Sequence, residues 1–122
     1  MVISFSSEKA RTFLLEHGSV YTFRKNRRKQ FVNQPHEDAL MRRGIRDWAN
    51  KGRTMKKITD VKILEVGEFK VAELEPYVEW SGFKDLKEWA DEILKLTRWT
   101  FYIASDRGWL YKVSLRVTEV EN

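Results

Sequence analysis

The chain contains no cysteine among its 122 residues. That excludes disulfides, thiolate catalysis and cysteine-based zinc sites, and fits a reducing cytoplasm. Only two histidines occur, His17 and His36, so no HExxH zinc motif is possible and no Ser-His-Asp spacing emerges. The six glycines are scattered, which leaves no glycine-rich phosphate loop. No apolar run approaches the ~18 residues of a membrane span. The opening MVISFSSEKARTFLLEHG is too polar and too broken to read as a signal peptide. No metal and no cofactor is expected. Glutamine is nearly absent, at two residues against 34% charged residues, a weak thermophile signature.

What is abundant is positive charge in one place. Residues 24–57 hold twelve Lys or Arg against three acids, a net charge of +9, whereas the whole chain is +5 and the remainder therefore sums to −4. A basic segment in an otherwise acidic chain points to a polyanion, usually nucleic acid. The alternatives are a solvated basic face or an anionic membrane surface. Sixteen aromatic residues (seven Phe, five Trp, four Tyr) and 42% hydrophobic content support one folded domain over 1–122.

The local pattern is strand and helix in mixture. Val2–Phe5 reads as a strand. Ser6 or Ser7 caps a helix whose face carries Ala10, Phe13, Leu14 and His17, and Gly18 ends it. His17 at that helix end has a structural role. Ser19–Lys25 alternates, with Tyr21 and Phe23 on an aromatic core face and Thr22 and Arg24 opposite. Residues 26–36 read as an exposed loop. Glu37–Asn50 reads as a helix on the spacing of Met41, Ile45 and Trp48, and 51–57 as a second basic loop. Ile58–Val66 and Phe69–Leu74 read as a hairpin turning at Gly67-Glu68. Asp85 and Glu88 open a helix with a stripe of Leu86, Trp89, Ala90, Ile93 and Leu94. Trp99–Ser105 and Trp109–Val117 read as a closing strand pair turning at 106–108, with Trp109, Tyr111, Val113, Leu115 and Val117 inward. The carboxylates Glu65, Glu68, Glu73, Glu75 and Glu79 read as a solvated face. The sum is α+β: about six short strands and two or three helices, arranged as a small closed or nearly closed barrel with helices at its ends.

This order resembles an ASCH domain of the PUA-like superfamily. The segments that carry the resemblance are ISFSSEKARTFLLEHG, SVYTFRK, KITDVKILEVG, YVEWSGFKDLKEWADEI, WTFYIAS and WLYKVSL. A basic insert at about 28–55 has no counterpart in the family. Gly18, Thr22 and Arg24 are similar to the family's Gly-x-Lys-Thr/Glu-hydrophobic-Arg motif, with Ser19 or Val20 where its lysine stands. Ser81-Gly82-Phe83 is similar to Glu-Gly-Phe, with Ser81 where its acid stands. Some ASCH proteins are amidohydrolases on acylated cytidine, with a Thr nucleophile, a Lys and a Glu. The resemblance therefore implies a catalytic candidate in Thr22, and the two missing partners argue against an enzyme unless Glu79 reaches Thr22 or the insert supplies Lys56 or Lys57.

The resemblance also implies a cleft for a nucleotide or short strand. Arg24 is the foremost contact, because arginine grips phosphate bidentately or stacks on bases. Phosphate contacts are expected from Lys25, Arg27, Arg28, Lys29, Arg42, Arg43, Arg46, Lys51, Arg53, Lys56 and Lys57. Trp48 and Trp80 are stacking candidates, each with a packing role as the alternative, and Ser81 completes the set. RNA is expected over DNA by analogy with PUA-like folds and because basic loops with aromatics suit splayed strands. The expected protein is a cytoplasmic monomer without membrane contact. Two alternatives stay open: an enzyme on a modified nucleoside or a ribonuclease, and a domain that recognises an acidic protein partner.

Overall fold

The computed structural model describes residues 2–41, 47–52 and 56–116. Five strands form one mixed sheet in the order β1-β3-β4-β5-β2. They are β1 (Val2–Phe5), β2 (Ser19–Arg24), β3 (Trp48–Lys51), β4 (Lys57–Lys70) and β5 (Arg107–Leu115). The helices are α1 (Glu8–His17), α2 (His36–Met41) and α3 (Leu86–Leu96), with 3₁₀ segments at Lys29–Phe31 and Val71–Trp80. The α+β class is as expected. The sheet is not closed into a barrel: β1 and β2 are its two edges. No helix among the described residues is long and apolar enough to cross a membrane.

Local chemistry sets the helix ends. Ser7 Oγ accepts the Ala10 N–H, and Gly18 adopts φ 85° and closes α1 on the Leu14 carbonyl. Asp85 Oδ1 accepts the Glu88 N–H at 2.8 Å to start α3. The alternation in β2 and β5 also holds. Val20 and Thr22 pair with Val113 and Tyr111, and Tyr21 and Phe23 face the opposite side.

Two apolar cores sandwich the sheet. One gathers Ile3, Phe5, Leu14, Val20, Phe31, Ala49, Val61, Ile63, Tyr111 and Val113. The other gathers Phe23, Val71, Leu74, Phe83, Trp89, Ile93, Phe101 and Leu110. Neighbouring Leu110 and Tyr111 are therefore both fully buried, on opposite faces. Gly108 shows how tightly these layers meet: a Cβ there would lie 2.4 Å from the Phe23 ring and 2.8 Å from the Arg24 carbonyl oxygen.

Several expectations are corrected. Trp48–Lys51 is a strand, not the end of a helix; it pairs parallel to β1 and antiparallel to β4. The helical spacing ran across residues 42–46, which lie outside the described set. The expected hairpin at Gly67-Glu68 is one continuous strand. Glu65 pairs with Tyr111 and Gly67 with Leu110, so the chain bulges at Val66 instead of turning. Phe69–Leu74 is likewise not a strand throughout: Glu73 captures the Lys70 N–H at 2.7 Å and starts the 3₁₀ segment. Trp99–Ser105 forms turns, and Arg107-Gly108 belongs to β5. Val117 lies outside the described residues. The loop 26–36 is not simply exposed, because Phe31 is fully buried and stacks on Tyr111 at 5.7 Å.

Glu65 overturns the solvated-face reading most sharply. Its side chain is 0% exposed, and both carboxylate oxygens accept from Arg27, Nε and one terminal nitrogen, at 2.7 Å each. Arg27 also lies 4.6 Å over the Trp109 ring and donates to the Gln34 carbonyl at 3.1 Å. Removing one partner of such a pair leaves a buried charge exposed to its full desolvation cost. Arg27→Ala should lose about 3 kcal/mol of unfolding free energy in a urea titration. Lys29→Ala, at an exposed position, should stay within ~0.5 kcal/mol. A neutral Arg27→Ala would show that the pair is dispensable.

Candidate nucleic-acid cleft

The gap between the two edge strands is the site. A cleft of about 610 Å³ is lined by Ser4 and Phe5 of β1, Ser6, Ser7, Tyr21 to Asn26, Arg28, Phe83, and the α3 face of Trp89, Glu92, Ile93 and Leu96, then Thr97 and Thr100. Its rim is braced by Arg11, whose guanidinium donates to the Phe5 carbonyl at 2.8 Å and the Ser6 carbonyl at 3.1 Å.

Arg24 projects from the end of β2, as the alternation required. Its Nε donates to Thr22 Oγ1 at 3.1 Å, and its guanidinium lies 5.4 Å from the Phe5 ring centre. No carboxylate among the described residues pairs with it. Burial first, and then repulsion from Arg28, push its pKa down to about 10, partly offset by Tyr111. It is still a cation at neutral pH, held in a partly dry cleft without a counter-charge.

Arg28 lines the same cleft on neutral acceptors: the Val2 carbonyl at 2.8 Å and Gln30 Oε1 at 3.2 Å. Burial lowers its pKa too, against attraction from Tyr111 and Asp47. Its backbone N–H donates to the Tyr111 hydroxyl at 2.7 Å. That hydroxyl is itself pushed up to about 12, chiefly by burial. Lys25 reaches Thr100 Oγ1 at 3.0 Å and adds a third cation. Glu92 is the single acid among these lining residues. Among the described residues no group of three or more His, Asp or Glu is placed to hold a metal.

The other expected contacts are dispersed. Arg27 is committed to Glu65. Lys57 pairs with Asp60 at 2.7 Å, and Lys29, Lys51 and Lys56 are exposed away from the cleft lining. Arg42, Arg43, Arg46 and Arg53 lie outside the described residues. Trp48 is half-buried in β3 and does not line the cleft. Trp80 is 44% exposed and packs edge-on against Phe13 at 5.8 Å, beside His17. Ser81 is buried, donating to the Val78 carbonyl at 2.7 Å and accepting the Phe83 N–H at 3.1 Å, so it shapes a turn. Among the cleft walls that sequence reasoning did not name as contacts are Phe5, Phe83, Trp89 and Glu92. Phe5 read as part of an apolar strand, Phe83 as part of a loop and Trp89 as part of a buried helical stripe, and only the topology brings them to the gap.

The low pKa of Arg24 carries a sign. The folded chain gives up this proton before the unfolded chain does, so folding bears the cost fully below pH 10, and the cost fades as pH rises above it. A neutral side chain of similar length should remove it. Arg24→Met is expected to match or exceed the native chain in stability at pH 7, by up to about 2 kcal/mol, in a denaturant titration. A clear loss would mean that the guanidinium is there to hold the fold.

Comparison with known proteins finds no matching family model, no matching curated protein and no matching solved structure.

Proposed function

We propose that this chain is a nucleic-acid-binding module for single-stranded RNA, with a backbone phosphate held at Arg24 in the cleft. The observation that carries this reading is the half-buried Arg24 cation without an acidic partner among the described residues. A cationic group kept partly desolvated and uncompensated is arranged for an anion that arrives from outside. Thr22 strengthens the fit: its oxygen accepts from Arg24, which leaves its own proton free to donate to a phosphate oxygen. Phe5, Phe83 and Trp89 supply an apolar wall for a sugar or base, and the volume is in the range of small-ligand pockets. Membership of the ASCH group, and a PUA-like barrel that stays open at the gap between β1 and β2, belong to this proposal. The helix-Gly-strand segment that ends at Arg24, and the cleft at the gap between the edge strands, support both.

The test is a titration of labelled single-stranded RNA, single-stranded DNA and duplex DNA at two salt concentrations. RNA should bind most tightly. Arg24, Lys25 and Arg28 would neutralise about three phosphates, a slope of log K against log salt of about −2. Arg24→Met should cost ~1–3 kcal/mol of binding and Lys29→Ala less. A salt-independent affinity, or equal losses from both variants, would sink the reading.

A second reading has one observation behind it: Thr22, Lys25 and Glu92 line the same cleft, the residue types an amidohydrolase on an acylated nucleoside would use. Against it, the Thr22 oxygen is hydrogen-bonded to a cation and the Lys25 ammonium to Thr100, so no base among the described residues contacts the hydroxyl. Incubation with acylated cytidine should therefore yield no deacylated product. Product that vanishes in Thr22→Ala would put the enzyme reading first.

A further inference from the structure

We propose that Trp99 and Tyr102 form a base-stacking platform beside the cleft, taking bases of the single strand whose phosphate sits at Arg24; this rests on the RNA reading above. Both side chains stand in water, at 70% and 71% exposure, the two most exposed large apolar side chains of the described chain. Neither ring contributes to either core.

Their segment is nevertheless fixed. Between them Phe101 is buried and packs edge-on against Phe23 at 5.7 Å, and Phe23 sits between Thr22 and Arg24 on β2. Thr100 accepts the Lys25 ammonium at 3.0 Å, and Leu96, Thr97 and Thr100 line the cleft itself. The platform is therefore continuous with the cationic site.

The backbone gives an independent reason. Arg98 and Trp99 take φ of 54° and 62°, left-handed values that are rare for bulky side chains. A helix end normally places glycine there. Here two large residues are kept there by hydrogen bonds from Arg98 N–H to the Lys95 carbonyl at 3.1 Å and from Trp99 N–H to the Leu94 carbonyl at 2.8 Å. Tyr102 is framed in the same way: its N–H donates to Asp106 Oδ2 at 3.0 Å, and its carbonyl accepts the Asp106 N–H at 2.8 Å. Backbone strain of this kind gathers where a side chain has a task in the presented position.

The surroundings select the occupant. Leu96 is exposed and Ile103 half-buried nearby, but Thr97, Arg98, Thr100 and Ser105 also flank the two rings, and the Lys25 ammonium reaches Thr100. Exposed aromatic faces next to cations match a nucleobase next to a phosphate. Stacking of this kind tolerates any base.

The test uses the full chain and a short fluorescently labelled oligouridine, with the same strand carrying abasic sites as control. Trp99→Ala and Tyr102→Ala should each weaken binding to oligouridine about tenfold. Trp99→Phe should retain most of the affinity. Neither alanine variant should change the melting temperature or the weaker binding of the abasic strand. Unchanged affinity in both alanine variants, with the native chain still binding oligouridine, overturns the platform and leaves the cleft reading standing. Equal losses on the normal and abasic strands overturn stacking as the cause. Binding of neither strand by the native chain removes the RNA reading and the platform with it.

Discussion

A carboxylate with no access to water has to be answered by a cation, and in this fold that demand falls on Arg27. Glu65 sits inside the sheet beside the β4 bulge, and its bidentate bond draws the chain after β2 back across β5, over Trp109. Phe31 then drops onto Tyr111, and the Arg28 amide meets the Tyr111 hydroxyl. The connection between β2 and α2 is thereby converted from a solvated loop into a wall of the cleft. Desolvating such a pair costs several kcal/mol per ion, so it is poor evidence of net stability. It does fix a geometry: this pair forms only when residues 25–34 lie in one place.

The contrast between Arg27 and Arg24 shows why counting charges along a chain misleads. The two residues belong to the same basic run, yet one is neutralised inside the protein and the other faces a cavity with no acid among the described residues paired to it. Lys57 is matched locally by Asp60 as well. The excess of +9 over residues 24–57 thus overstates the field that a ligand meets there. What remains at the cleft is a small number of cations, of which Arg24 and Arg28 stand in a partly water-excluded setting, where each interacts with an anion more strongly than an exposed lysine could.

Features encoded within a few residues were legible in the sequence. The Ser7 and Asp85 caps, the Gly18 terminus and the alternation of β2 and β5 needed only neighbours in the chain, and they carried Arg24 to its correct face. Features set by distant partners were not. Trp48–Lys51 is a strand because β1 and β4 flank it, not because of its own spacing. Gly67-Glu68 has the composition of a turn but lies opposite β5, where a bulge absorbs the misfit. The aromatic, β-branched stretch 99–105 has strand propensity, but the bonds at the end of α3 and around Asp106 turn it instead. Glu65 looked like one more surface acid, since nothing near it in sequence announces Arg27. The same limit hid most of the cleft wall: Phe5 and Trp89 meet there across more than eighty residues of chain.

Both edges of the cleft depend on late partners. Among the described residues β1 pairs with β3 alone and β2 with β5 alone, with Ser19 matched to Ser114. During synthesis the first strand, the first helix and the Arg24 strand all leave the ribosome before any sheet partner exists for them. Pairings this distant in sequence close slowly, because the chain entropy is lost before the contacts form. The cleft therefore has no early, partly folded version. It comes into being in the same step as the finished sheet, so a growing chain cannot present Arg24 to an anion in its final setting until β5 has docked.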